Sequence, residues 1–276
     1  MTNAERSSGS SDRSRADSSL AIVHEAASTI ITFREGDEDV ALIMPPAVGE
    51  QVCRICRGLI YDHQDICKNC LQNGSALDGS LVEVVPITLY YKPTRLRDWL
   101  TFYKSDVDGG FLDDPAAGRA IATIVSRFFT ANQDWLLSLE LDFVVVVPST
   151  LRPPPHPLQQ LIEGLERAHV VTNPVLRRTI APLTHMMPNK AAFEVIGEVK
   201  GKRVLLIDDV YTSGARAQSA AFALRAAGAD VVIALVIGRR FNPGYSDESA
   251  ELVRRQEATT FSWSAKDRMP SQTSTD

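Results

Sequence analysis

Two hydrophobic periods alternate along most of this chain. Residues 143–149 open with Phe143-Val144-Val145-Val146-Val147, an uninterrupted apolar run that marks a strand covered on both faces, as in a parallel sheet. Residues 81–91 alternate through Val82, Val84 and Ile87, and residues 203–207 and 230–237 read as two further strands. Between them the spacing changes to the helical one. Residues 94–103 place Leu96, Trp99, Leu100 and Tyr103 on one face, and residues 116–130 do the same with Ile121, Ile124, Val125, Phe128 and Phe129. Residues 158–171 carry the stripe Leu158, Leu161, Ile162 and Leu165, and 214–227 form the next helix, closed by Gly228. Alternating strand and helix periods predict an α/β fold, a doubly wound and mostly parallel sheet.

The flanks break this rhythm. Residues 1–19 are rich in Ser, Arg and Asp and predict a disordered tail. Residues 20–33 and 39–44 carry β-branched runs around a polar, Gly-containing turn at 34–38, which predicts a hairpin. Residues 172–200 are irregular, 246–256 read as a short helix, and the polar end from Lys266 as loose. The expected organisation is a tail (1–19), a hairpin with a cysteine module (20–80), an α/β domain (81–245) and a C-terminal extension (246–276).

Composition narrows the function classes. At 276 residues and 44% hydrophobic content, the chain can bury one sizeable core plus a small module. A formal net charge of −5 argues against bulk electrostatic binding of nucleic acid, though not against a local basic patch. No apolar run approaches the ~20 residues of a membrane helix. The N-terminus mixes Glu5, Asp12 and Asp17 with Arg6, Arg13 and Arg15 and lacks a signal-peptide core, so cytoplasmic residence is the expectation.

All four cysteines lie in two CxxC knuckles, Cys53/Cys56 and Cys67/Cys70, separated by ten residues. This spacing lets four thiolates surround one tetrahedral Zn²⁺, and a closed four-sulfur shell predicts a structural rather than a catalytic metal. Gly58 suits the turn between the knuckles.

A second signal lies in Arg203-Val204-Leu205-Leu206-Ile207-Asp208-Asp209-Val210-Tyr211-Thr212-Ser213-Gly214-Ala215-Arg216. An apolar strand ends in two carboxylates, a Thr-Ser-Gly turn and an alanine-rich helix. Such a junction delivers acids to the carboxyl edge of a sheet and offers backbone N–H groups to an anion, as a sugar-phosphate site requires.

This stretch resembles the phosphoribosyl-pyrophosphate (PRPP) loop of type I phosphoribosyltransferases. Together with the two knuckles it makes the chain, from Val52 to about Arg240, similar to the ComF family of competence-associated, phosphoribosyltransferase-like proteins. Tyr103-Lys104 resembles that family's lysine after an aromatic, Val146-Val147-Pro148-Ser149 its pyrophosphate loop, and Arg177-Arg178 through Asn189 to Phe193 a segment ahead of the PRPP strand.

The resemblance implies that Asp208 and Asp209 bond the ribose hydroxyls and that Thr212, Ser213, Gly214 and Ala215 cradle the 5′-phosphate. It implies that Pro148, Ser149 and Arg152 lie against pyrophosphate, with Mg²⁺ bridging substrate oxygens. Lys104 is a candidate phosphate ligand or a solvated helix-end cation. The chain departs from the pattern twice. Arg216 stands where the family has a small hydroxyl residue, and is expected either to contact phosphate or to lie along the helix. Residues 149–156 carry three prolines in place of an Arg-Gly-Phe-Asn segment. His156, His185 and the Arg239-Arg240 pair read as packing or solvated residues.

Three functions follow from this reading: phosphoribosyl transfer to a nitrogenous acceptor, PRPP or nucleotide sensing without catalysis, and a competence or DNA-uptake accessory role.

Overall fold

A computed structural model of the chain describes residues 21–25, 28–32, 40–61, 64–104, 115–149, 156–165 and 171–268. Strands β1 (Ala21–Glu25), β2 (Ser28–Thr32) and β3 (Val40–Leu42) form a small antiparallel sheet in that order. The region expected as one hairpin thus folds back once more than its two apolar runs suggested. The predicted tail at 1–19 lies outside the described residues.

The cysteine module follows, and its second knuckle opens a helix the sequence reading did not include, α1 (Lys68–Ala76). Cys67 is its N-cap and Cys70 lies in its first turn. Next come β4 (Val84–Tyr90), α2 (Arg95–Phe102), α3 (Pro115–Ala131), the short α4 (Gln133–Ser138) and β5 (Phe143–Val146). The hydroxyl of Thr94 caps α2 by accepting from the Arg97 N–H. Helix α5 (Pro157–Glu163) starts at His156, whose Nδ1 accepts from the Leu158 N–H at 3.1 Å, and stops at Gly164 rather than running to 171. Beyond it, Val171 is already committed to the sheet edge, accepting from the Val144 N–H at 2.8 Å.

Within the irregular region, β6 (Leu176–Arg178) and β7 (Phe193–Val195) pair as a short antiparallel ribbon. The chain then forms β8 (Arg203–Tyr211), α6 (Ala215–Ala226), β9 (Asp230–Arg240), α7 (Asp247–Glu257) and a 3₁₀ turn at Ala265–Arg268. The end read as loose is therefore packed as far as Arg268. That residue is fully buried and donates to the carbonyls of Ile87, Ser262 and Ser264.

The main sheet has the order β4-β9-β8-β5, every neighbouring pair parallel. The path from β4 to β5 crosses the whole sheet; β5, β8 and β9 then step back one place at a time. Right-handed crossovers in opposite directions place helices on opposite faces. Leu205, Ile207, Val144 and Val146 pack with α3 and α5, whereas Val204, Leu206, Val145 and Val147 pack with α6 and the cysteine module. Both faces are buried, which explains the continuous apolar runs. Between Val204 and Leu205 the β8–β9 pairing slips by one residue, a bulge at Val232 of β9.

Among the described residues no helix is long and apolar enough to cross a membrane.

Candidate functional site

The carboxyl ends of the parallel strands open onto a cleft of about 540 Å³. Strand β8 runs through both acids to Tyr211 instead of ending at Ile207, because β9 continues beside it and pairs Asp208 with Val236 and Val210 with Gly238. Backbone pairing is indifferent to side-chain polarity, so the ladder carries two carboxylates into the edge of the core. Asp208 is 3% exposed and Asp209 0%.

Buried charges need partners. Arg216, in the first turn of α6, donates through Nε to Asp208 at 3.1 Å and through Nη2 to Asp209 at 2.9 Å and to the other Asp208 oxygen. The guanidinium thus faces the acids from the cleft wall rather than lying along the helix surface. Lys104 pairs with Asp209, and the Tyr103 hydroxyl donates to the same carboxylate at 2.8 Å. Lys104 is therefore not a solvated helix-end cation.

The two acids titrate apart. Burial raises Asp208 to about 6, outweighing Arg216, with the neighbouring Asp209 charge adding to the rise. Burial also opposes ionisation of Asp209, but Lys104 and Arg216 together outweigh it and hold that carboxyl well below the usual range. Arg216 is raised in turn by the two carboxylates, against its own burial.

The turn after β8 is held from three sides. Gly214, the N-cap of α6, sits at φ 89°, and a Cβ there would run into the Tyr211 hydroxyl. The Ser213 hydroxyl donates to the His185 carbonyl, and the Ser213 carbonyl accepts from Asn73 Nδ2 at 2.9 Å. Thr212, Ser213, Gly214, Ala215 and Arg216 all line the cleft, together with Ser149 and Lys104. Pro148 precedes Ser149 just past β5. Arg152, with residues 150–155, lies outside the described residues.

Sequence reasoning missed part of the rim. Lys92, Arg97 and Arg240 line the cleft, so its cations outnumber its two carboxylates. Their common signal is position: each lies at or just after the carboxyl end of β4 or β9, or on the helix that follows β4. His185 reaches the site through its backbone, which no residue type announces. His156 is buried, in keeping with a packing residue, and also caps α5, a role the sequence did not suggest.

Behind the turn, Cys53, Cys56, Cys67 and Cys70 are all buried, their sulfurs within 4.8 Å of one another. The 3.5 Å between the sulfurs of Cys56 and Cys67 is too long for a disulfide. It is close to the edge of about 3.8 Å expected of a tetrahedron with Zn–S bonds of about 2.3 Å. The donor set fits a structural metal such as Zn²⁺.

Arg239, read as solvated, is only 5% exposed. Its Nε donates to the Cys56 carbonyl at 2.8 Å and its Nη1 to the carbonyls of Tyr211, Thr212 and Arg240 at 3.2, 2.8 and 2.7 Å.

Fold and site thus define an α/β protein with a basic, anion-ready cleft at the carboxyl edge of a parallel sheet and a four-cysteine centre beneath it. No protein-family profile and no curated protein matches the chain. Among solved structures, a phosphoribosyltransferase from Corynebacterium diphtheriae overlaps with a TM-score of 0.29 at 18% identity, over 60% of this chain and 92% of that one. Orotate phosphoribosyltransferase from Mycobacterium tuberculosis H37Rv, in complex with inorganic phosphate, overlaps with a TM-score of 0.28 at 21% identity, over the same 60% and 92%. Overlap this loose assigns neither protein's ligand to this chain.

Proposed function

We propose that this chain is a ComF-like protein that binds PRPP or a related ribose phosphate and transfers its phosphoribosyl group to a nitrogenous acceptor, releasing pyrophosphate. The observation that carries this reading is the β8–α6 junction. Two buried carboxylates stand beside a Thr-Ser-Gly turn at a helix start, in a cleft rimmed by Lys92, Arg97, Lys104 and Arg240.

Each part has a role in that chemistry. Asp208 and Asp209 accept from the ribose hydroxyls, bonds that are short and directional because the acceptors are charged. Thr212, Ser213, Gly214 and Ala215 surround the 5′-phosphate at the positive end of α6. The acceptor nitrogen attacks the anomeric carbon, the bond to pyrophosphate breaks, and the leaving group departs with the electron pair. Ser149 and the rim cations stabilise charge on that leaving group. Bound Mg²⁺ would offset the negative charge that pyrophosphate carries as it leaves. Arg216 already pairs with both acids and Lys104 with Asp209, so substrate oxygens and water, rather than a protein cage, would supply most of the ligands of such an ion. The four cysteines would hold Zn²⁺ in a closed structural shell.

One contact favours a second reading, a PRPP sensor without transfer. Arg216 engages both carboxylates, so ribose must displace a guanidinium before its hydroxyls reach them.

Calorimetry with PRPP and Mg²⁺ tests the binding claim. Wild type is expected to bind, and Asp208→Asn/Asp209→Asn to weaken binding at least about tenfold through the lost charge-assisted bonds. No binding by wild type defeats both readings. With binding established, pyrophosphate release across a panel of nitrogenous bases supports transfer, and its absence leaves the sensor.

A further inference from the structure

The four-cysteine centre and the ligand turn are separate motifs in sequence, yet one side chain holds both. We propose that Arg239 is the positioning residue of the phosphate turn, and that the geometry of the turn depends through it on metal in the cysteine centre.

Arg239 projects from the end of β9 into the space between the two. One edge of its guanidinium faces the centre: Nε bonds the Cys56 carbonyl at 2.8 Å, and Nη2 lies 3.7 Å from the Cys56 sulfur. The other edge holds the carbonyls of Tyr211 and Thr212, where β8 becomes the turn. The rings of Tyr211 and Phe241 lie against it, each with its centroid 5.2 Å away.

Two further observations make the arrangement specific. A Cβ on Gly58 would sit 2.8 Å from Arg239 Nη2 and 3.1 Å from the Cys56 sulfur, so this glycine leaves the guanidinium its place. Asn73, from the helix that carries Cys70, independently bonds the Ser213 carbonyl at 2.9 Å.

The contact with the knuckle explains the dependence on metal. Arg239 is buried, and among the described residues no carboxylate pairs with it. Four thiolates around Zn²⁺ carry a net charge of about −2, which is the missing counter-charge. Without Zn²⁺ the two knuckles lose the shared bonds that would fix them, and the Cys56 carbonyl that holds Arg239 Nε at 2.8 Å loses its fixed place. The guanidinium's bonds to Tyr211 and Thr212 move with it.

The consequence for ligand binding rests on the reading of the turn as a phosphate site; the coupling itself does not. Amide hydrogen exchange across residues 211–215 is therefore measured alongside PRPP calorimetry, on the full chain loaded with Zn²⁺ and after chelation. Arg239→Lys keeps the buried charge but cannot fork between the two sides. It is expected to retain one zinc per chain while its 211–215 amides exchange at least about tenfold faster, the loss of charged hydrogen bonds. Chelation should accelerate the same amides in wild type and add little in the variant. Wild-type exchange in zinc-loaded Arg239→Lys, or acceleration spread equally over β4 and β9, overturns the proposal. So does chelation that weakens PRPP binding as much in the variant as in wild type. If zinc-loaded wild type fails to bind PRPP, the functional reading falls while the exchange result still decides the coupling.

Discussion

Replacing Arg216 by serine tests the electrostatics of the site without any ligand. The guanidinium is 26% exposed and holds Asp208 and Asp209, which are 3% and 0% exposed. After Arg216→Ser, Asp209 still has Lys104 and the Tyr103 hydroxyl, but Asp208 loses its charged partner. Asp208 already sits at about 6, above the usual carboxylate range, so its ionisation costs the folded state about 3 kcal/mol above pH 6. The sign follows from linkage. A carboxyl raised by folding binds its proton more tightly in the native state, so its cost is absent below about pH 4 and complete above about pH 6. Removing Arg216 raises Asp208 further and moves the top of that window upward. Urea unfolding at pH 7.5 should show the variant destabilised by about 2–4 kcal/mol, in the range for breaking a buried pair. At pH 5 the difference should shrink to about 1 kcal/mol, because Asp208 is then largely protonated in both proteins. Equal differences at the two pH values, or one below about 0.5 kcal/mol at pH 7.5, would refute the assignment of Arg216 as the counter-charge.

Two glycines give further tests. Gly214→Ala combines a left-handed backbone with collision against the Tyr211 hydroxyl; urea unfolding should show a loss of about 2 kcal/mol or more, and calorimetry a loss of PRPP binding. Gly58→Ala pushes on Arg239 and the Cys56 sulfur, and competition with a chromogenic chelator should show zinc held roughly tenfold or more less tightly. Wild-type behaviour in either variant would mean that the backbone approach at that glycine is not required.

Much of the architecture was legible in one dimension. The run from Phe143 to Val147 was enough to reveal a sheet buried on both faces, because continuous apolar character requires cover on each side. The two knuckles announced their four-cysteine cluster through spacing alone. The acids and the Thr-Ser-Gly turn were visible as a strand-to-helix junction. The ends of elements were less legible. Backbone pairing with β9 carried β8 through two aspartates, and Gly164 stopped α5 early. Helix α1 was hidden because its N-cap, Cys67, and Cys70 in its first turn were read for their metal chemistry.

The arginines divide most sharply between sequence and structure. In sequence a cation defaults to solvent, and nothing local distinguishes Arg239 or Arg268 from a solvated one, while Arg216 stands out only by its place after the turn. Arg216 faces two acids from the first turn of α6, Arg239 joins the cysteine centre to the turn, and Arg268 reaches the Ile87 carbonyl from the far end of the chain. Sequence alone determined where the strands of the parallel sheet, the knuckles and the acids lie, because those follow from local periodicity and spacing. Only the tertiary structure decided what each acid is paired with and what holds the turn. A buried charge takes whatever partner folding brings within hydrogen-bond reach, and these partners lie seven to more than one hundred and eighty residues away along the chain.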